Sequence, residues 1–126
     1  MASPRFISRE VLAQLHEESI ARFGGTLGVR DEGMVLSSLG AAENVHYYGG
    51  GDPFEIAAAY AFHIAQAQAF LDGNKRTAVA AALLFLRANG VQGAPDQGRL
   101  YDAMIAIAER RLDKAGLAAL LRELLG

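Results

Sequence analysis

The stretch from Asp52 to Gly90 limits what this chain can build more than any other part of it. Asp52-Pro53-Phe54-Glu55 combines an N-cap residue, a proline at the first helical position and a glutamate at the third that reaches back toward the cap. It predicts a helix carrying Ile56 to about Ala69. The chain then breaks at Leu71-Asp72-Gly73, and a second helix is expected from about Asn74 to Ala88, closed by Asn89-Gly90. Both segments are apolar on most faces, so they read as a buried central pair. The rest of the chain must cover them.

Alanine recurs with leucine, isoleucine and methionine while runs of β-branched residues are scarce, so the covering elements read as helices too. Ser8 is a good cap for a helix running to about Arg22 and ended by Phe23-Gly24-Gly25. A shorter helix is predicted from about Gly33 to Asn44, leading into an aromatic and glycine loop, His46 to Gly51. Asp96 and Asp113 open closing helices over about Gln97–Arg110 and Lys114–Leu125. The expected fold is all-α, a single compact bundle of about six helices forming one domain over 1–126. The glycine-rich residues 24–33 are left for a turn or a small hairpin.

At 126 residues one hydrophobic core is expected. Twelve Lys+Arg against fourteen Asp+Glu give a formal charge of −2, so no overall field draws the chain to nucleic acid or an acidic membrane, and no direct nucleic-acid binding is expected. Any basic site must be local. No cysteine is present, which removes disulfides, thiolate metal sites and thiol nucleophiles and points most simply to the cytoplasm. The longest apolar run, Val79 to Leu86, falls far short of the ~18–20 residues a spanning helix needs. The opening Met1-Ala2-Ser3-Pro4-Arg5-Phe6 does not read as a secretory leader.

The chemistry concentrates in Phe70-Leu71-Asp72-Gly73-Asn74-Lys75-Arg76-Thr77-Ala78, between the two central helices. A helix start leaves its first amides unpaired and carries partial positive charge, so it can hold a phosphate. Gly73 would let an anion approach the backbone, Asn74 offers an amide donor, and Lys75 and Arg76 add two charges. Asp72 supplies one carboxylate, a normal way to hold Mg²⁺ together with phosphate oxygens. The plainer alternative is a tight turn followed by a solvated first helical turn, but basic residues there oppose the helix dipole and require a compensating reason.

This stretch resembles the signature of the Fic/Doc family, H-x-F-x-D/E-A/G-N-K/G-R. Gly28-Val29-Arg30-Asp31-Glu32-Gly33, the helix Ala57 to Ala65 and Leu83 to Gly90 are similar to its short Doc branch, and the likeness covers most of the chain from Phe6 onward. The resemblance implies a helical toxin of a bacterial toxin–antitoxin pair that uses ATP and Mg²⁺ to modify a protein hydroxyl. By position, Asp72 would contact Mg²⁺, Gly73 and Asn74 would form part of an anion hole, Lys75 and Arg76 would hold phosphates, and Phe70 would anchor the loop. Lys75 stands where AMP-transferring members usually have glycine, and Val79 where many carry a second arginine. Both departures point to the Doc type, which phosphorylates a threonine of elongation factor Tu, although AMP transfer remains the alternative within the fold. Gly28 to Gly33 is similar to the flap that aligns the target chain. The self-inhibiting pattern Ser/Thr-x-x-x-Glu-Gly/Asn is not met, since Leu39 precedes Glu43-Asn44 by four residues. The resemblance therefore implies inhibition in trans by an antitoxin of the Phd type.

One position departs from the signature where it matters most. Two residues before Phe70 the family has the histidine that takes the proton from the target hydroxyl; here it is Gln68. An amide has no proton-accepting pKa near neutrality, so the chain as written is expected to be nearly inactive, either through an introduced substitution or as a natural pseudo-enzyme that acts as a silent binding module. His63 is a poor substitute, because five residues at about 100° each place it about 140° around the same helix from Gln68. It is expected to be a hydrogen-bonded histidine of the helical core. His16 and His46 are expected to be partly exposed, with His46 able to border the pocket.

Overall fold

The computed structural model describes residues 3–126, so Met1-Ala2, the start of the segment read as lacking a leader, lies outside the described residues. Six helices form, α1 Arg9–Phe23, α2 Glu32–Gly49, α3 Pro53–Ala67, α4 Asn74–Ala88, α5 Gln97–Ala108 and α6 Lys114–Leu125, and no strand forms among the described residues. The all-α bundle expected from the sequence is what the chain builds. No described helix is long and apolar enough to cross a membrane.

α3 is the axis, packing against α2, α4, α5 and α6, while α4 packs against α1, α3 and α5. The run Ile56 to Ala61 is fully buried, and its alanines let neighbouring helices approach closely. Tyr60 is the one large ring in that run. Its hydroxyl oxygen accepts the Ile7 N–H at 3.0 Å, tying the entry of α1 to the core, and burial pushes its pKa up to about 12. The expected caps form: Ser8, Asp52, Asp96 and Asp113 each accept a backbone N–H from the first turn that follows, Asp52 with Glu55 makes a complete capping box, and Asp31 caps α2 in the same way, a cap not expected from the sequence.

Three helix ends and one segment differ from expectation. α2 continues five residues past Asn44 to Gly49, because the residue able to take the left-handed stop is Gly50 (φ 61°); His46, Tyr47 and Tyr48 are therefore helical rather than loop. α3 stops at Ala67 and α5 at Ala108, where Gln68 (φ 49°) closely follows one and Arg110 (φ 61°) the other in left-handed conformations. The 24–33 segment makes no hairpin. Its partner is the loop between α3 and α4: Val29 forms a single antiparallel bridge with Phe70, the Leu71 N–H donates to the Gly28 carbonyl at 3.0 Å and the Arg30 N–H to the Ala69 carbonyl at 2.7 Å. Glycine is needed at Gly28, where φ is 147° and a Cβ would lie 2.8 Å from the Leu71 side chain.

Candidate active site

The loop between α3 and α4 is fixed from its own side chains upward. Phe70 is buried, and the Asn74 side chain clasps its peptide: Asn74 Oδ1 accepts the Phe70 N–H at 3.1 Å and Nδ2 donates to the Phe70 carbonyl at 3.0 Å. The expected amide donor is thus consumed within the loop. What Asn74 offers a ligand is its backbone N–H. His16 lies beneath, only 3% exposed, stacked on the Phe70 ring at 3.9 Å, with Nε2 2.8 Å from the Asp72 carbonyl oxygen. A carbonyl only accepts, so Nε2 carries the hydrogen. The expectation of a partly exposed His16 is overturned, because α1 turns this residue into the bundle to support the site.

Gly73 takes φ 76° and a Cβ there would meet Ile20 Cδ1 at 3.0 Å and His16 at 3.7 Å. The missing side chain therefore makes room for α1. After Gly73 the first intrahelical bond is Thr77 N–H to the Gly73 carbonyl at 2.9 Å. The amides of Asn74, Lys75 and Arg76 precede it, and α4 is the single helix of the six with no side chain capping its start.

Gln68, Asp72, Gly73, Asn74, Lys75 and Arg76, the six residues singled out in the sequence, line one cavity of about 320 Å³. Gln68 is exposed at its wall in the left-handed conformation, an outlier of the kind that concentrates at functional sites. Because it lies beyond the end of α3, the helical-wheel separation from His63 does not apply. His63 is half-buried elsewhere, with Nε2 3.1 Å from Lys114 Nζ; burial and the Lys114 charge both hold its pKa below the usual histidine value. His46 packs edge-on against Phe6 and Tyr47 and does not border the cavity. Val79, at the position of the absent second arginine, is buried.

Sequence reasoning missed two residues that complete the wall, Arg30 and Tyr101. Arg30 was within reach, since it lies in the stretch that resembles the family's flap; Tyr101 arrives on α5 and nothing in its local pattern marks it. The electrostatics of the cavity are one-sided. Arg30, Lys75 and Arg76 have no carboxylate partner among the described residues, and the one acid, Asp72, accepts the Thr26 N–H at Oδ2, 2.8 Å away. Its other oxygen has no partner among the described residues. No described cluster of three His, Cys, Asp or Glu could cage a metal, so a divalent ion would need Asp72 plus oxygens brought by an anionic ligand. Beside this cavity, between α1, α4 and α5, runs a groove of about 330 Å³ with Leu15, Val79 and Leu83 along it and three arginines, Arg22, Arg76 and Arg87, against one acid, Glu18, in its lining.

Comparison with known proteins bears on what this arrangement serves. The family model described as Fic/DOC family matches residues 6–86. The chain is 40% identical over 123 residues to "Protein kinase doc" of Escherichia phage P1, covering 97% of each chain. It is 41% identical over 101 residues to "Toxin Doc" of Mycolicibacterium smegmatis, covering 77% of this chain and 78% of that one.

Proposed function

The chain belongs to the Fic/DOC family, and from that membership we propose that it is a Doc-like toxin of the bacterial cytoplasm whose cavity binds the polyphosphate of ATP for transfer of a phosphoryl group to a hydroxyl on a translation factor of the elongation factor Tu type. The observation that carries this reading is the start of α4: three unpaired amides with Arg30, Lys75 and Arg76 around them and no acid neutralising those cations. Phosphoryl transfer depends on positioning and on charge neutralisation rather than on covalent help from the protein. Lys75 and Arg76 would hold the transferred and bridging phosphate oxygens, and the α4 amides would take a non-bridging one. Mg²⁺, held by the free oxygen of Asp72 together with ATP oxygens, would supply further charge neutralisation. A target Ser or Thr would enter at Gln68, beside the extended segment Gly28 to Asp31. Its oxygen would bond to the γ-phosphorus as the bridge to ADP breaks, and its proton must leave.

Residue 68 decides that last step. The glutamine amide cannot take a proton, so the chain as written binds nucleotide and transfers slowly, as a silent binding module would. Histidine tolerates the left-handed conformation of residue 68 better than most residues, so Gln68→His fits the same backbone. General-base catalysis contributes about 10²–10⁴-fold, and Gln68→His should raise labelling of a protein target from Mg·ATP by that order. Label arriving from the γ-phosphate supports the kinase reading and label from the α-phosphate supports AMP transfer. If Gln68→His labels nothing in a bacterial lysate and binds no nucleotide, the enzymatic reading fails.

The toxin relatives support an antitoxin partner, and we assign it to the α1, α4, α5 groove. Apolar residues along the groove and arginines beside them fit an amphipathic acidic helix of a Phd-type antitoxin.

A further inference from the structure

We propose that Phe23 and Tyr101 are positioning residues that hold the Arg76 guanidinium between two aromatic faces, fixing it for an anion without neutralising it. The inference rests on the phosphate-binding role proposed for Arg76. Its Cζ lies 4.2 Å from the centre of the Phe23 ring and 4.0 Å from that of Tyr101, both inside the range of a cation–π contact. The rings come from α1 and α5, the two helices that flank α4.

The way other arginines are held shows what is special here. Of the ten arginines, Arg9, Arg99, Arg111 and Arg122 are each paired with a carboxylate, and among the described residues only Arg76 lies over two rings, while Arg22 lies over Phe23 alone at 5.6 Å. Arg76 has no ion pair and no side-chain hydrogen bond among the described residues. A carboxylate clamp would occupy its N–H donors and cancel its charge. Aromatic rings contact the weakly hydrated faces of the guanidinium and leave the in-plane N–H fork free. The same contact explains Phe23, a large apolar side chain left 50% exposed at the last position of α1. Holding Arg76 in advance lowers the ordering cost of binding, so the clamp should appear as affinity for polyphosphate.

The test uses the full chain with Gln68 in place. In the ligand-free protein, ring currents should shift the Arg76 Cδ–H and Nε–H NMR signals upfield, and Phe23→Leu or Tyr101→Leu should each remove part of that shift. Calorimetric titration with Mg·ATP should show each leucine variant binding about threefold to tenfold more weakly, with Tyr101→Phe within about twofold of the starting chain because the ring remains. Phe23 is half-exposed, so Phe23→Leu should fold even if Tyr101→Leu does not. Unchanged Mg·ATP affinity in Phe23→Leu, or absence of the ring-current shift in the starting chain, would overturn the clamp alone. A starting chain that shows the shift yet binds neither Mg·ATP nor inorganic triphosphate would overturn the nucleotide reading and the phosphate role of the clamp with it.

Discussion

Replacing His16 with alanine should destabilise the fold by about 1.5–2.5 kcal/mol although the residue belongs to no apolar cluster. Two losses add. The parallel stack on Phe70 at 3.9 Å contributes about 0.5–1.5 kcal/mol beyond its burial. The bond to the Asp72 carbonyl at 2.8 Å is part-buried, and leaving that carbonyl without a donor costs near the low end of the usual 1–3 kcal/mol, about 1 kcal/mol, because water can partly replace it. The two losses can be separated. A glutamine places its amide nitrogen near the position of Nε2, so His16→Gln keeps the donor and loses the ring, and should cost about half as much. Urea unfolding of the three chains at one pH measures this, with an unchanged m value showing that the same surface is exposed. A His16→Ala cost below about 1 kcal/mol would mean that the loop does not depend on α1. A His16→Gln cost equal to that of alanine would mean that the hydrogen bond contributes nothing.

The Lys114 ammonium donates to a neutral His63, and burial with the Lys114 charge holds the imidazole below its ordinary value of 6.5. A depressed folded-state pKa gives a contribution that is complete above the unfolded value and lost as pH falls through the folded one. Unfolding at pH 7 and pH 5 should therefore show the parent chain losing more stability than His63→Gln; parallel losses would refute the assignment. Gly73→Ala forces a Cβ to within 3.0 Å of Ile20 Cδ1 at φ 76°, and should cost about 1–2 kcal/mol from the left-handed backbone alone. A thermal midpoint matching the parent would show that the turn relaxes freely.

The helices were legible where a local signal decides them. Four caps, Ser8, Asp52, Asp96 and Asp113, could be read directly because Ser and Asp act on the turn that follows them, and α4 ends where Asn89-Gly90 predicts. The ends of α2, α3 and α5 were not, since Asn44 stays helical and Gln68 and Arg110 adopt positive φ although neither is glycine or asparagine. The site divides the same way. Residues 68 to 76 are contiguous and announce themselves, whereas His16, Phe23 and Tyr101 reach the same place from α1 and α5. His16 looks in sequence like one more polar position of an amphipathic helix; only the packing of α1 on α4 turns it toward Phe70. Gly73 shows the converse, a cavity residue whose missing side chain also makes room for α1.

A net charge of −2 conceals this cavity, and four of the six aspartates sit where helices begin. Asp31, Asp52, Asp96 and Asp113 each satisfy a first turn, and Asp52 also takes Arg122 at 2.7 Å. α4 starts with the opposite choice: no cap, no acid in its first turn, and two consecutive cations, each opposing the dipole by about 0.3–1 kcal/mol. A chain that solves the same problem with an aspartate four times has the means to solve it a fifth time. An aspartate side chain there would occupy the amides and pair with Lys75 or Arg76, leaving nothing for a ligand to gain. Holding Arg76 on aromatic rings stabilises the turn without filling it, so the field of the helix and of both cations stays available to a diffusible anion. In the proposed role the anion would complete the first turn of α4, and ligand affinity and local stability at this point would then be two readings of one free energy.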